Sequence, residues 1–150
     1  MINLSYLYSL GLSILLSGLI GYERESQDKP AGLRDTMLVC LGATMFTVIS
    51  LILRETPGLG TGLRYDLGRI IAYTIVGIGF LGSGVIIQMK GRVEGITTAS
   101  MLWAIVGIGI LCGLQEYVLS VICAGAIYLI LKLKHIKVQI ETVKKRRRKR

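Results

Sequence analysis

Between Ile70 and Met89 the chain carries no charged residue, and over its 150 residues only 18% are charged. A soluble domain would have about 25%. A twenty-residue run of this kind, bounded by Arg69 and Lys90, spans roughly 30 Å as a helix, the thickness of a bilayer's hydrocarbon core. Proline is nearly absent: the two present, Pro30 and Pro57, fall outside the apolar runs. That excludes proline kinks in the spans. A single histidine, His135, and three cysteines without metal-ligand spacing (Cys40, Cys112 and Cys123) leave little for zinc or nucleophilic chemistry. A basic n-region is missing before the first apolar run, so that run is expected to be retained as a span.

What is present is apolar: 52% hydrophobic residues, with mean hydropathy +0.61. The reading is an all-α, polytopic membrane helix bundle of about five transmembrane helices. The expected spans are Leu4–Tyr22, Thr36–Leu53, Ile70–Met89, Ile96–Leu114 and Tyr117–Leu131. One helix from Ile96 to Leu133 would be about 57 Å long, nearly twice the core thickness, so a reversal is expected at Gly113–Glu116. Residues 1–134 are read as the transmembrane domain and 135–150 as a basic tail. From Lys132 onward there are ten Lys or Arg and one Glu, while the rest of the chain balances eight against eight; the net charge of +9 therefore resides in the tail and the two lysines, Lys132 and Lys134, that lead into it.

Location decides what that charge means. A cationic run directly after an apolar span is a topology anchor and a contact for anionic lipid headgroups, not a nucleic-acid site. Lys144, Lys145, Arg146, Arg147, Arg148, Lys149 and Arg150 are its candidate lipid-binding residues, expected to be disordered in solution. The positive-inside rule then places the N-terminus outside and the C-terminus in the cytoplasm.

Small residues recur at helical spacing. Ser5, Ser9, Ser13, Ser17 and Gly21 form one i+4 ridge, which lets helix backbones approach closely in lipid. Gly77, Gly79, Gly82 and Gly84 make a second bare surface, and Gly109 with Gly113 a GxxxG pair. Gly77–Gly82 formally fits a dinucleotide fingerprint. Its place inside a span, with no preceding strand, excludes that use. Helix packing, including homo-oligomer contacts, is the expected role.

Acidic residues could support metal chemistry. Glu23, Glu25, Asp28 and Asp35 lie together between the first two spans, and a magnesium site needs only one or two carboxylates. Arg24, Lys29 and Arg34 are interleaved among them. The expectation is an interfacial ion-pair cluster with no cofactor, magnesium being the alternative occupant. Asp66 and Arg69, three apart, are placed to pair before the third span.

The ordered motifs as a set resemble the MgtC/SapB family of bacterial inner-membrane proteins. The residues carrying the likeness are Gly18-Leu-Ile-Gly-Tyr-Glu23-Arg24-Glu25, Lys29-Pro-Ala-Gly32-Leu-Arg34, Leu38-Val-Cys-Leu-Gly42-Ala43, Asp66 with Arg69, Gly77–Gly84, and Val93-Glu-Gly-Ile-Thr97-Thr98-Ala99-Ser-Met-Leu-Trp103. The family interface cluster maps to Glu23, Arg24, Glu25, Lys29, Gly32, Arg34, Asp66, Arg69, Thr97 and Thr98. The resemblance implies a link to magnesium limitation and, in some members, to virulence. It also implies a regulatory action on a membrane partner such as ATP synthase, with magnesium or other ion transport as the alternative. Asp35 departs from the family, which usually has Thr there. Many members carry a further ACT-like soluble domain; the expectation is the transmembrane domain alone.

Overall fold

The computed structural model describes residues 4–55, 67–89 and 92–148, with side chains beyond Leu133 outside the description. Five helices account for most of them: α1 (Leu4–Glu25), α2 (Leu33–Glu55), α3 (Leu67–Val85), α4 (Ile96–Gly113) and α5 (Tyr117–Arg148). Helices are the outcome that apolar, proline-free runs require in lipid, because each backbone N–H and C=O must find its partner within the segment. Four of them are long and apolar enough to cross a membrane, and the apolar part of α5, Tyr117–Leu133, is shorter. The chain is a multi-pass membrane protein.

α4 is the centre of the bundle. More than half of its span, 56%, is buried inside the protein, against 11% for α3, which lies on the outside. α1, α2 and α4 interlock, α3 leans on α4 and α2, and α5 covers α4 and α1. Leu16 and Ile20 of α1, Cys40 and Ala43 of α2, and Met101, Ile105 and Ile108 of α4 form the apolar core.

Hydrogen bonds fix which helix ends meet. At one end Arg24 of α1 bonds Thr98 of α4, and Leu33 of α2 bonds Glu25 of α1. At the other, Tyr117 opening α5 donates to Ser5 O near the start of α1, at 3.1 Å, and Gln115 reaches Ser5 Oγ. The Tyr117 ring also meets Tyr8 edge-on, with centroids 4.8 Å apart. α4 stops at Gly113, and Gln115 takes a left-handed φ of 65° that turns the chain back into α5. The reversal lies where the length of the run required one.

Four expectations need correction. Span 1 does not end at Tyr22; α1 runs on to Glu25, so Glu23 and Arg24 belong to a helix and not to a polar loop. Span 3 does not run to Met89: α3 ends at Val85, and Ile87–Met89 (β1) pairs antiparallel with Arg92–Glu94 (β2) in a short hairpin. Gly95 sits at φ 89° against the Val85 carbonyl, where a Cβ would collide with backbone, so glycine there permits the hairpin to return close to the end of α3. The basic tail is helical through Arg148. Lys and Arg are good helix formers, and past Gly125 the chain has neither Gly nor Pro to stop the helix. Finally, the glycines of α3 divide: Gly82 abuts Ala99, while a Cβ on Gly77, Gly79 or Gly84 would meet nothing within 4 Å among the described residues. Asp66 and the glycines of residues 56–66 lie outside the described residues.

Candidate functional site

The buried face of α1 reads Ser9, Ser13, Leu16, Ser17, Ile20, Gly21, Glu23 and Arg24. Its small residues admit close neighbours. A Cβ on Gly21 would strike the Thr36 hydroxyl and lie 2.8 Å from Leu33 Cα. α2 and α4 meet as closely: a Cβ on Gly109 would strike the Cys40 carbonyl, and one on Gly113 would lie 2.6 Å from Thr47 Cβ. The hydroxyls along these contacts turn mostly to their own helices. Ser17 Oγ donates to Ser13 O at 2.6 Å, Thr47 Oγ1 to Ala43 O at 2.9 Å, and Ser120 Oγ to Glu116 O at 2.8 Å. A hydroxyl bonded to the preceding turn satisfies itself without a ligand. Thr44 Oγ1 also reaches across to Gly109 O, 2.9 Å away, and ties α2 to α4.

The face ends on charge. Glu23 and Arg24 are 7% and 5% exposed. Arg24 Nη2 donates to Thr98 Oγ1 at 3.0 Å, across 74 positions of sequence, and its Nε–H has no partner among the described residues. Glu23 accepts from the Gln27 amide through Oε1, while its buried Oε2 has no partner among the described residues. Lys132 of α5 is within electrostatic reach of Glu23, and its ammonium lies 4.7 Å from the Tyr128 ring centroid. Buried charge at the edge of a membrane bundle is costly and is the default mark of function.

The neighbouring carboxylates are used differently. Glu25 Oε2 accepts from Leu33 N–H at 2.7 Å and Asp35 Oδ2 from Gly32 N–H at 3.1 Å. They satisfy the backbone donors at the start of α2, where negative charge is favoured. The expected ion-pair lattice is thereby replaced by capping. Arg34 is exposed, and Lys29 with it lines a shallow polar cleft of about 300 Å³. Gly32 is closed against the Glu25 side chain. Thr97 is exposed beside the buried Thr98. Arg69 lies in the first turn of α3, on the opposite end of the bundle. Among the described residues, no group of three or more His, Cys, Asp or Glu is placed to hold a metal ion.

Reading Glu23 and Arg24 as loop residues missed their burial. A partial signal was available: one more helical turn past Gly21 puts Arg24, at i+3, on the ridge's face, although the i+4 spacing itself leads to the exposed Glu25. The partnership with Thr98 had no local signal.

Between α2 and α3 an apolar cleft of about 560 Å³ opens outward, lined by Leu38, Gly42, Phe46, Tyr73, Gly77 and Leu81 among others. Of its two hydroxyls, Thr74 Oγ1 donates to Ile70 O at 2.8 Å, and the other belongs to the exposed Tyr73.

Five helices, four of them long and apolar enough to cross a membrane, around a buried, charged helix-end junction define a small multi-pass membrane protein. Residues 10–139 match the MgtC family, and the chain belongs to it. It is 40% identical to protein MgtC of Salmonella typhimurium over 118 residues, which is 78% of this chain and 47% of that protein. It is 39% identical to protein MgtC of Brucella abortus over 101 residues, 67% of this chain and 39% of that one. The chain thus spans less than half the length of these curated relatives. No solved structure matches it.

Proposed function

We propose that this chain is a non-enzymatic regulator in the bacterial inner membrane, active in adaptation to magnesium limitation. It works through helix contacts with a second copy and with a membrane partner, the ATP synthase being the first candidate. The observation that carries the reading is the closure of the α1–α2–α4 core. At Gly21, Gly109 and Gly113 not even a methyl group would fit, and the hydroxyls beside them are bonded to backbone. A hydrated cation has no room there. The outer surface supports the same reading: Gly77, Gly79 and Gly84 of α3 are bare, and the α2–α3 cleft beside them is apolar. Surfaces of small residues favour helix association in lipid.

Ion transport is the second reading, and the buried Glu23 and Arg24 favour it. Liposomes containing the purified protein and a magnesium-sensitive dye separate the two. The regulator reading expects flux equal to that of protein-free liposomes, together with a changed rate of ATP-driven proton pumping when the protein is added to membranes holding ATP synthase. A saturable magnesium flux abolished by Glu23→Gln would overturn it.

A further inference from the structure

Arg24 stands in the last turn of α1, where a cation is favoured, and reaches across to the first turn of α4, where one is not. Its Nη2 is bonded into the first turn of α4 through Thr98, and the N-terminus of a helix carries a partial positive charge of about 0.5. α4 is eighteen residues long, and its N-cap, Gly95, offers no side chain to its first N–H groups. Lys132 adds a second cation to the same corner. Against these stand Glu23, buried, and Glu94, exposed at the end of the hairpin. Glu25 and Asp35 are committed to α2. Two cations thus face two carboxylates, so what the corner leaves unmet is a matter of single atoms and not of net charge.

Two orphan atoms sharpen the chemistry. Among the described residues, Arg24 Nε–H is a buried donor without an acceptor, and Glu23 Oε2 a buried acceptor without a donor. A buried polar atom without a partner is costly, more so when its group is charged, so an unmet pair of opposite polarity suits a ligand offering both. The level of the junction narrows the choice. α1 turns polar after Tyr22, α4 begins at Ile96, and the apolar part of α5 ends at Leu133. This is the headgroup layer.

We propose that Arg24, Thr98 and the open N-terminus of α4 form a site for a phosphate group, with Glu23 receiving a hydrogen-bond donor carried next to that phosphate. A phospholipid headgroup of the ethanolamine or glycerol type has both parts: an oxyanion for the guanidinium and the helix N–H groups, and an ammonium or hydroxyl for Glu23. Helix N-termini and arginine are the two commonest phosphate cradles, and a charge-assisted bond is about twice as strong as a neutral one. Free inorganic phosphate shares the oxyanion and lacks the membrane tether. The site is independent of whether the chain moves ions.

The test is native mass spectrometry of the full chain in detergent, titrated separately with dioleoyl phosphatidylethanolamine, phosphatidylglycerol and phosphatidylcholine, and with inorganic phosphate. The expected result is one tightly held lipid per chain, with the ethanolamine and glycerol forms preferred over choline, whose headgroup has no N–H or O–H. Arg24→Gln should weaken retention about tenfold, and Thr98→Val should weaken it in the same direction. Glu23→Gln should narrow the preference over choline while keeping some binding. Lys29→Gln and Arg34→Gln, exposed cations bordering the α2 cleft, should leave retention unchanged. Displacement of lipid by millimolar phosphate would assign the ligand as free phosphate. Should Arg24→Gln not fold, Thr98→Val and Glu23→Gln carry the test. Equal retention in wild type and all site variants, or loss shared equally with Lys29→Gln and Arg34→Gln, would overturn the proposal.

Discussion

Glycine has two different meanings here, and residue-level substitutions distinguish them. Gly109 and Gly113 are pressed onto α2, whereas a Cβ on Gly79 would meet nothing within 4 Å among the described residues. Gly109→Leu should therefore destabilise the protomer by about 1–3 kcal/mol through overpacking, read as a lower unfolding midpoint in detergent. Gly79→Leu should leave that midpoint unchanged and lower the oligomer size on gel filtration or crosslinking. Ser13, fully buried and bonded to Leu10 O at 2.8 Å, belongs with Gly109: Ser13→Leu should unfold more readily than wild type. Equal effects of Gly79→Leu and Gly109→Leu on the protomer would contradict this division. The periodicity that places small residues on a ridge is readable from spacing. Which ridge finds a partner in the same chain is decided by how the helices cross.

At the scale of the element, the α1–α2 connection works as a cap. Glu25 at the end of α1 holds the first N–H of α2, and Asp35 closes the turn at Gly32. Removing the cap with Glu25→Ala should cost about 0.5–2 kcal/mol. Arg34→Ala, at an exposed position, should change stability by no more than about 0.5 kcal/mol. Because Glu25 is engaged with backbone, the double mutant should be additive within about 0.5 kcal/mol in chemical denaturation. A larger coupling would restore the ion pair that the charge pattern suggested. The hairpin after α3 is the other element that sequence reasoning did not anticipate. An uncharged run to Met89 is a valid helix signal, but three of its residues pair in β1, in a hairpin that Gly95 permits to return close to Val85, a tertiary event.

At the scale of the molecule, the helix ends joined by Arg24–Thr98 and by Tyr117–Ser5 define two faces of the bundle. The five-span arrangement read from the sequence predicts chain termini on opposite sides. Reporter fusions at residue 150 and near Gly60 should therefore give opposite signals, with residue 150 in the cytoplasm; the same side for both would remove the five-span arrangement. The tail has its own test. Seven consecutive cations, Lys144 to Arg150, should each gain up to about 1 kcal/mol beside anionic lipid, less their mutual repulsion, within a Debye length of roughly 8 Å. Deleting residues 144–150 should lower binding to anionic vesicles in a salt-sensitive way and leave the helix content of the bundle intact. Loss of function with insertion and orientation preserved would instead make the tail a partner-binding element.

The amino-acid sequence by itself determined the membrane setting, the number of apolar runs, the reversal after Gly113 and the family. Each follows from local composition: hydropathy over twenty residues, a run too long for one crossing, and ordered motifs. Only the tertiary structure decided that α4 is central and α3 peripheral, that Gly77, Gly79 and Gly84 are left bare, and that Glu25 caps a helix. It alone carried Glu23 and Arg24 into the protein and set Arg24 on Thr98. The physical reason is that burial and pairing depend on which helices cross and at what height. Two residues 74 positions apart carry no record of that meeting in their own neighbourhoods.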